Sequence, residues 1–163
     1  MELNFRIHPD AEVMNSYNKL YPWVPNENQI RPTGMNILLK GQLMDKIKEE
    51  YNSTRDYILI DIFKYQYMKN KEQKYQVIND DNIKLHKFQV NLFKYDLHPQ
   101  TFHYQMWYTC DKNELIDKEI NKDIYNSVYN IIKCDKFKFV WYENPKMSID
   151  DIYHIQVFWI KLD

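Results

Sequence analysis

Two short runs in the C-terminal third of the chain carry the residue types that do acid–base chemistry. Thr101-Phe102-His103-Tyr104-Gln105-Met106-Trp107 and Tyr153-His154-Ile155-Gln156-Val157-Phe158 share one sub-pattern: His, any residue, Gln, any residue, then Trp or Phe. Both runs read as β-strands, and side chains alternate across a strand. His103, Gln105 and Trp107 therefore share one face, and His154, Gln156 and Phe158 share another. Two imidazoles brought together on neighbouring strands serve as acid and base on a phosphoester, because each titrates near neutral pH. The layout is similar to that of two-histidine phosphoesterases, which place Ser or Thr two residues after each His. Here Gln105 and Gln156 stand at those positions, and an amide still donates to a phosphate oxygen. The catalytic candidates are thus His103 and His154. The ligand-binding candidates are Gln105, Gln156, Trp107 and Trp141, with Glu143 and Asn144 from the following loop and Arg31 across from it.

Two other readings stand beside this one. The histidines equally fit hydrogen-bonded places inside an aromatic core. Alternatively, Trp23, Trp107, Trp141 and Trp159 offer stacking surfaces to a nucleobase, a cap-like nucleotide or a sugar ring, which would make the protein a non-catalytic binding module. Strand parity already sets Trp159 opposite to His154. A protein-interaction domain is a further option. No metal or other cofactor is expected: zinc needs about three good protein donors, and glutamine is a poor one. His8, His86 and His98 stand alone in loops and receive no role.

Composition narrows the partners. The 163 residues fit a single domain, 1–163, long enough to bury a sizeable core. Fourteen Tyr, eight Phe and four Trp must carry much of the packing, since the chain has one Ala and two Gly. The bias towards Asn, Lys, Ile and Tyr is that of an AT-rich coding genome, of the kind giant viruses and protists carry. A net charge of −1, from 22 basic and 23 acidic residues, gives no field to attract nucleic acid or anionic membrane. All basic residues but Arg6, Arg31 and Arg55 are Lys, which points to a charge-mixed solvated surface. Met1-Glu2-Leu3-Asn4-Phe5 lacks the basic and apolar regions of a secretory signal, and no apolar run nears the roughly 20 residues of a membrane span. A soluble, intracellular, cytoplasmic protein with a small-molecule partner is therefore expected. Cys110 and Cys134 match no zinc spacing; they fit either a disulfide or two reduced thiols. Oligomeric state is not encoded legibly.

The elements that must position the histidines follow from periodicity. Pro9-Asp10 opens a short amphipathic helix over residues 9–20, with Val13, Met14, Tyr17 and Leu20 at helical spacing. Pro22 and Pro25 break it, and Trp23 folds back as a plug. Arg31-Pro32-Thr33 starts a longer helix with Ile37, Leu38, Met44, Ile47 and Tyr51 on its inner stripe and Lys40 facing water. Ser53 or Thr54 caps a second helix carrying Tyr57, Ile58, Ile62 and Tyr65; a strand over 57–60 is the alternative. Residues 66–91 read as a surface excursion with short strands at 75–78 and 85–90. Asp111-Lys112-Asn113-Glu114 has capping-box spacing and opens a long helix with Ile116, Ile120, Ile124, Val128 and Ile132 recurring every four residues. Phe137–Tyr142 and Ile152–Ile160 form an antiparallel hairpin around Glu143–Ser148. The expected class is α+β, with N-terminal helices packed on a mainly antiparallel sheet and a long helix between the C-terminal strands.

Several of these segments together resemble a domain-of-unknown-function family that includes fungal proteins named for induction by N-acetylglucosamine. The resemblance rests on Arg31-Pro32, on Ile47–Ser53 with Tyr57-Ile58-Leu59, on Pro99–Trp107, and on Val140–Pro145 followed by His154–Phe158. It covers roughly residues 28–160. The chain departs where the family has Trp-Pro-Tyr-Gly and this sequence has Phe93-Lys94-Tyr95-Asp96, and where a second His gives way to Gln156. The resemblance implies no particular chemistry, and with Gln156 in place it implies no metal set.

Overall fold

A computed structural model describes residues 4–81, 83–145 and 147–163. Met1 to Leu3, Asn82 of the polar turn and Lys146 of the last loop lie outside the described residues. The α+β class holds. In chain order the elements are β1 (Phe5–Arg6), α1 (Ala11–Leu20), α2 (Met35–Glu50), α3 (Thr54–Asp61), β2 (Tyr67–Lys69), β3 (Tyr75–Val77), β4 (His86–Val90), β5 (Phe102–Tyr108), α4 (Asp117–Ile132), β6 (Phe137–Tyr142) and β7 (His154–Lys161). Five strands form one sheet in the order β1-β6-β7-β5-β4, and β2 and β3 form a separate pair. β1 runs parallel to β6; the other neighbours are antiparallel.

The inner strands β6 and β7 are buried on both faces, and strand parity divides their side chains between two cores. Phe137, Phe139 and Trp141 of β6 join Ile155, Val157 and Trp159 of β7 beneath Ile120, Ile124 and Val128 of α4. The opposite face carries Val140, Tyr142 and Phe158 against Ile7, Met14, Trp23 and Val24. Trp23 does fold back as a plug, its carbonyl accepting from Thr101 Oγ1 at 3.0 Å. Further along that second face, Trp107 and Ile152 meet Ile58, Leu59 and Phe63 of the α3 region. The run over 57–60 is helical, with Ser53 capping: its Oγ accepts from Asp56 N at 3.0 Å.

Several expectations are corrected. The capping box at Asp111–Glu114 closes a 3-10 turn over Lys112–Glu114, and α4 begins only at Asp117, so Ile116 is exposed instead of starting the core stripe. Helix α3 ends at Asp61, before Tyr65. On α2 only Ile47 is buried; Ile37 and Leu38 face outward. The reason is that α2 does not lie on the sheet. It is tied down at its ends, by the Pro32–Tyr95 bridge and by the Tyr51–Tyr75 bridge with Asn52 N donating to Tyr75 O, and between them it spans an open cleft. Cys110 and Cys134 are unpaired thiols.

Candidate functional site: a cleft between the sheet and helix α2

The recurring pattern on β5 and β7 proves self-complementary when the strands run antiparallel. With Gln105 opposite Gln156, His103 falls opposite Phe158 and Trp107 opposite His154. Each imidazole then stacks on the other strand's ring, at 4.3 Å for His103 on Phe158 and 4.2 Å for His154 on Trp107. Cross-strand ring pairs of this kind stabilise a sheet directly. The same register holds the histidines apart. Four residues of strand separate them, about 14 Å of rise, so the two rings cannot close on one small group. Convergence of His103 and His154 as an acid–base pair has no support in this register.

The histidines also differ in their surroundings. His103 is nearly sealed, with Tyr95 at 4.4 Å on its other flank. Its tautomer follows from a chain of hydrogen bonds anchored on a backbone carbonyl. Asn91 Nδ2 donates to Phe93 O at 2.7 Å, which identifies that atom as nitrogen. The same amide lies 3.1 Å from His103 Nδ1, so Nδ1 accepts. Nε2–H must then donate to Gln156 Oε1, at 2.6 Å. Gln156 accordingly turns its NH2 group away from His103, as a donor for something else. Burial pushes His103 down to about 4, against the Gln156 hydrogen bond, and the ring is neutral near pH 7.

His154 opens onto the cleft. Its Nδ1–H donates to Ile152 O at 3.4 Å, which leaves Nε2 as a lone pair with no protein partner among the described residues. Burial and, less strongly, the nearby Lys40 charge lower it to about 4, while the Ile152 bond acts in the other direction. Neutral at pH 7, it can accept a hydrogen bond or a proton.

The cleft has an interior volume of about 140 Å³. Its floor is a rung of glutamines: Gln89 of β4 pairs with Gln105 of β5, which pairs with Gln156 of β7. Trp107 and His154 complete the floor. Helix α2 contributes Lys40, Leu43 and Met44; α3 contributes Tyr57 and Asp61; Asn91, Phe93 and Tyr95 close the side, with Asn144 and Ser148 from the β6–β7 loop. An outer recess continues it past Pro32, Lys40, Met44 and Tyr95 to Ile37 and Arg31. Lys40, expected to face water, is half-buried and stands at the junction of the two. Burial holds its ammonium below the usual lysine range, and it forms no ion pair or hydrogen bond with the protein among the described residues. Burial also pushes Tyr57 up to about 12, helped by Asp61, and Tyr95 up to about 12 against the pull of Arg31. Both phenols are neutral, and Tyr57 donates its proton to Asp61.

Of the residues expected from sequence, Gln105, Trp107, His154, Gln156 and Asn144 line the cleft, and Arg31 lies at its mouth. His103 sits behind Gln156. Trp141 faces the α4 core, where its Nε1 donates to Asn121 Oδ1 at 2.7 Å. Glu143 is committed elsewhere: it accepts from Lys112 Nζ and from Tyr153 OH, each at 2.8 Å, and lies 3.4 Å from Arg6. Burial pushes its carboxyl up, but these partners more than offset that and hold it below the usual range. Trp23, Trp141 and Trp159 are core residues away from the cleft, so only Trp107 has a place there, with one face covered by His154. Sequence reading missed Lys40, Tyr57, Asp61, Tyr95, Asn91 and Gln89. The available signals were Lys40 ending the apolar run Ile37-Leu38-Leu39, and the four-residue spacing of Tyr57 and Asp61 on one helix face.

No protein-family model and no curated protein matches the chain. Among solved structures it is similar to the one described as "Crystal Structure of HTC1", at 14% identity and a TM-score of 0.49, covering 93% of this chain and 83% of that one.

Proposed function

We propose that the cleft binds a phosphate-containing small molecule. The carrying observation is Lys40: a partly desolvated ammonium, turned into a cavity and left without a carboxylate partner among the described residues. A buried charge is costly unless something pairs with it, and an anion in the cleft supplies the pair. Of the groups around it, Gln156 presents its NH2, Tyr95 holds its phenolic proton and Arg31 stands at the mouth, while Asp61 lines the same cleft with the Tyr57 phenol hydrogen-bonded to it. Phosphate oxygens accept. Among the described residues lining the cleft His154 is the one imidazole, so acid–base work on a phosphoester would rest on its Nε2 as base, with Lys40 and not His103 as the cationic partner. Membership in the N-acetylglucosamine-induced family belongs to the same proposal, on the order of motifs over residues 28–160.

Calorimetry with phenyl phosphate, ribose 5-phosphate and AMP tests the reading against Lys40→Met. At least one ester should bind, inorganic phosphate should compete, and the variant should lose tenfold or more in affinity. Loss of that magnitude is about 1.4 kcal/mol, within the range of a charge-assisted hydrogen bond. No binding by any of the esters, or equal binding by the variant, would refute it. Release of phosphate from a bound ester, abolished in His154→Gln with binding retained, would establish hydrolysis.

A further inference from the structure

The cleft is more apolar than a phosphate group needs. Beyond the glutamine floor its apolar lining is Leu43 and Met44 of α2, Ile62, Leu92 and Phe93, with Asp61, Asn91, Asn144 and Ser148 among them. Leu92 is 67% exposed, and Ile37 on the outer recess is 62% exposed. Isolated exposed aliphatics are ordinary, but these border one cavity, and Lys40 and Arg31 lie at the junction and in the outer recess. Apolar side chains and the cations Lys40 and Arg31 therefore line one continuous site.

Resting on the phosphate reading above, we propose that the ligand is a single-chain amphiphile, an aliphatic phosphate monoester. Its head pairs with Lys40 and takes the Gln156 donor. Its chain lies along Leu43, Ile62, Leu92 and Phe93. A nucleotide base would find one face of Trp107 already covered by His154. Helix α2 forms the wall over the chain. The long apolar face that α2 leaves exposed at Met35, Leu38 and Leu39 lies outside the site and has no part in it.

The test uses the intact chain and two matched series below their micellar concentrations: butyl, hexyl and octyl phosphate, and the alcohols of the same length. Calorimetry should show affinity rising about fourfold for each methylene that enters the cleft, equivalent to about 0.8 kcal/mol. Phosphates should bind more tightly than alcohols. Leu92→Ser, at an exposed position, should flatten the chain-length dependence while leaving inorganic phosphate binding and the unfolding midpoint unchanged. Lys40→Met should weaken the phosphates alone. Affinity independent of chain length, with inorganic phosphate still bound, overturns the amphiphile and leaves the phosphate reading standing. Alcohols binding as well as phosphates, with Lys40→Met silent, overturns the phosphate reading and this inference with it. A Leu92→Ser variant that keeps the full length dependence overturns the placement of the chain.

Discussion

Replacing His103 with Gln removes one titrating ring from the sheet and leaves a neutral side chain in its place. The ring is held near a pKa of about 4 by burial, whereas in the unfolded chain it returns to about 6.5. Between those values the unfolded state binds a proton that the folded state refuses. Stability therefore falls as pH drops from about 6.5 towards 4, and it is unaffected above that window. Linkage gives a loss of about 2 kcal/mol by pH 5 and about 3 kcal/mol by pH 4 for this one ring. His103→Gln escapes that loss but gives up the Asn91–His103–Gln156 chain, at roughly 1–3 kcal/mol near pH 7. Urea unfolding followed by Trp fluorescence at pH 7, 6 and 5 should show the variant less stable at pH 7 and the gap nearly closed at pH 5. Carboxylates and His154 titrate in both proteins and cancel in the difference. A gap that stays constant from pH 7 to 5 would refute the sealed, neutral ring and, with it, the assignment of Gln156 as a donor.

Two further outcomes follow from the packing. Ile124 is fully buried beneath the α4 face of the sheet, so Ile124→Ala should cost about 2–5 kcal/mol in urea unfolding; less than 1 would mean that α4 does not seat as described. Ser53→Ala should cost about 1 kcal/mol through the lost cap of α3. Asp56→Ala should cost more than Ser53→Ala, because Asp56 Oδ1 also accepts from Val77 N at 2.8 Å, and the reverse order in thermal unfolding would contradict the role of Asp56 in joining α3 to β3.

How far the sequence was legible depended on distance along the chain. The repeat of Ile120, Ile124 and Val128 is local and strong, and α4 is there. Strand parity likewise sorted Phe137, Phe139 and Trp141 from Val140 and Tyr142 onto opposite faces. The histidines illustrate the limit. Their shared pattern was visible, but pairing register is a long-range property, and an antiparallel register turned an apparent pair of catalysts into two ring stacks. Lys40 shows the same limit for a helix: periodicity finds an apolar stripe but not whether a sheet or an empty space faces it. The two-residue β1, which pairs residues 135 positions apart, has no local signature at all.

The strand order carries a consequence for how the chain is made. β7 is the last strand of the sequence and the middle strand of the sheet, joining the β1-β6 side to the β5-β4 side. While β7 is still within the ribosome, β6 has only the short β1 beside it and β5 has only β4. Neither fragment can close either core, since Ile155, Val157 and Trp159 belong to one and Phe158 to the other. The nascent chain thus carries two unpaired, aromatic-rich strand edges until residues 154–161 emerge, and the sheet forms only when its centre arrives. Folding is completed at the end of synthesis of this segment, not progressively along it.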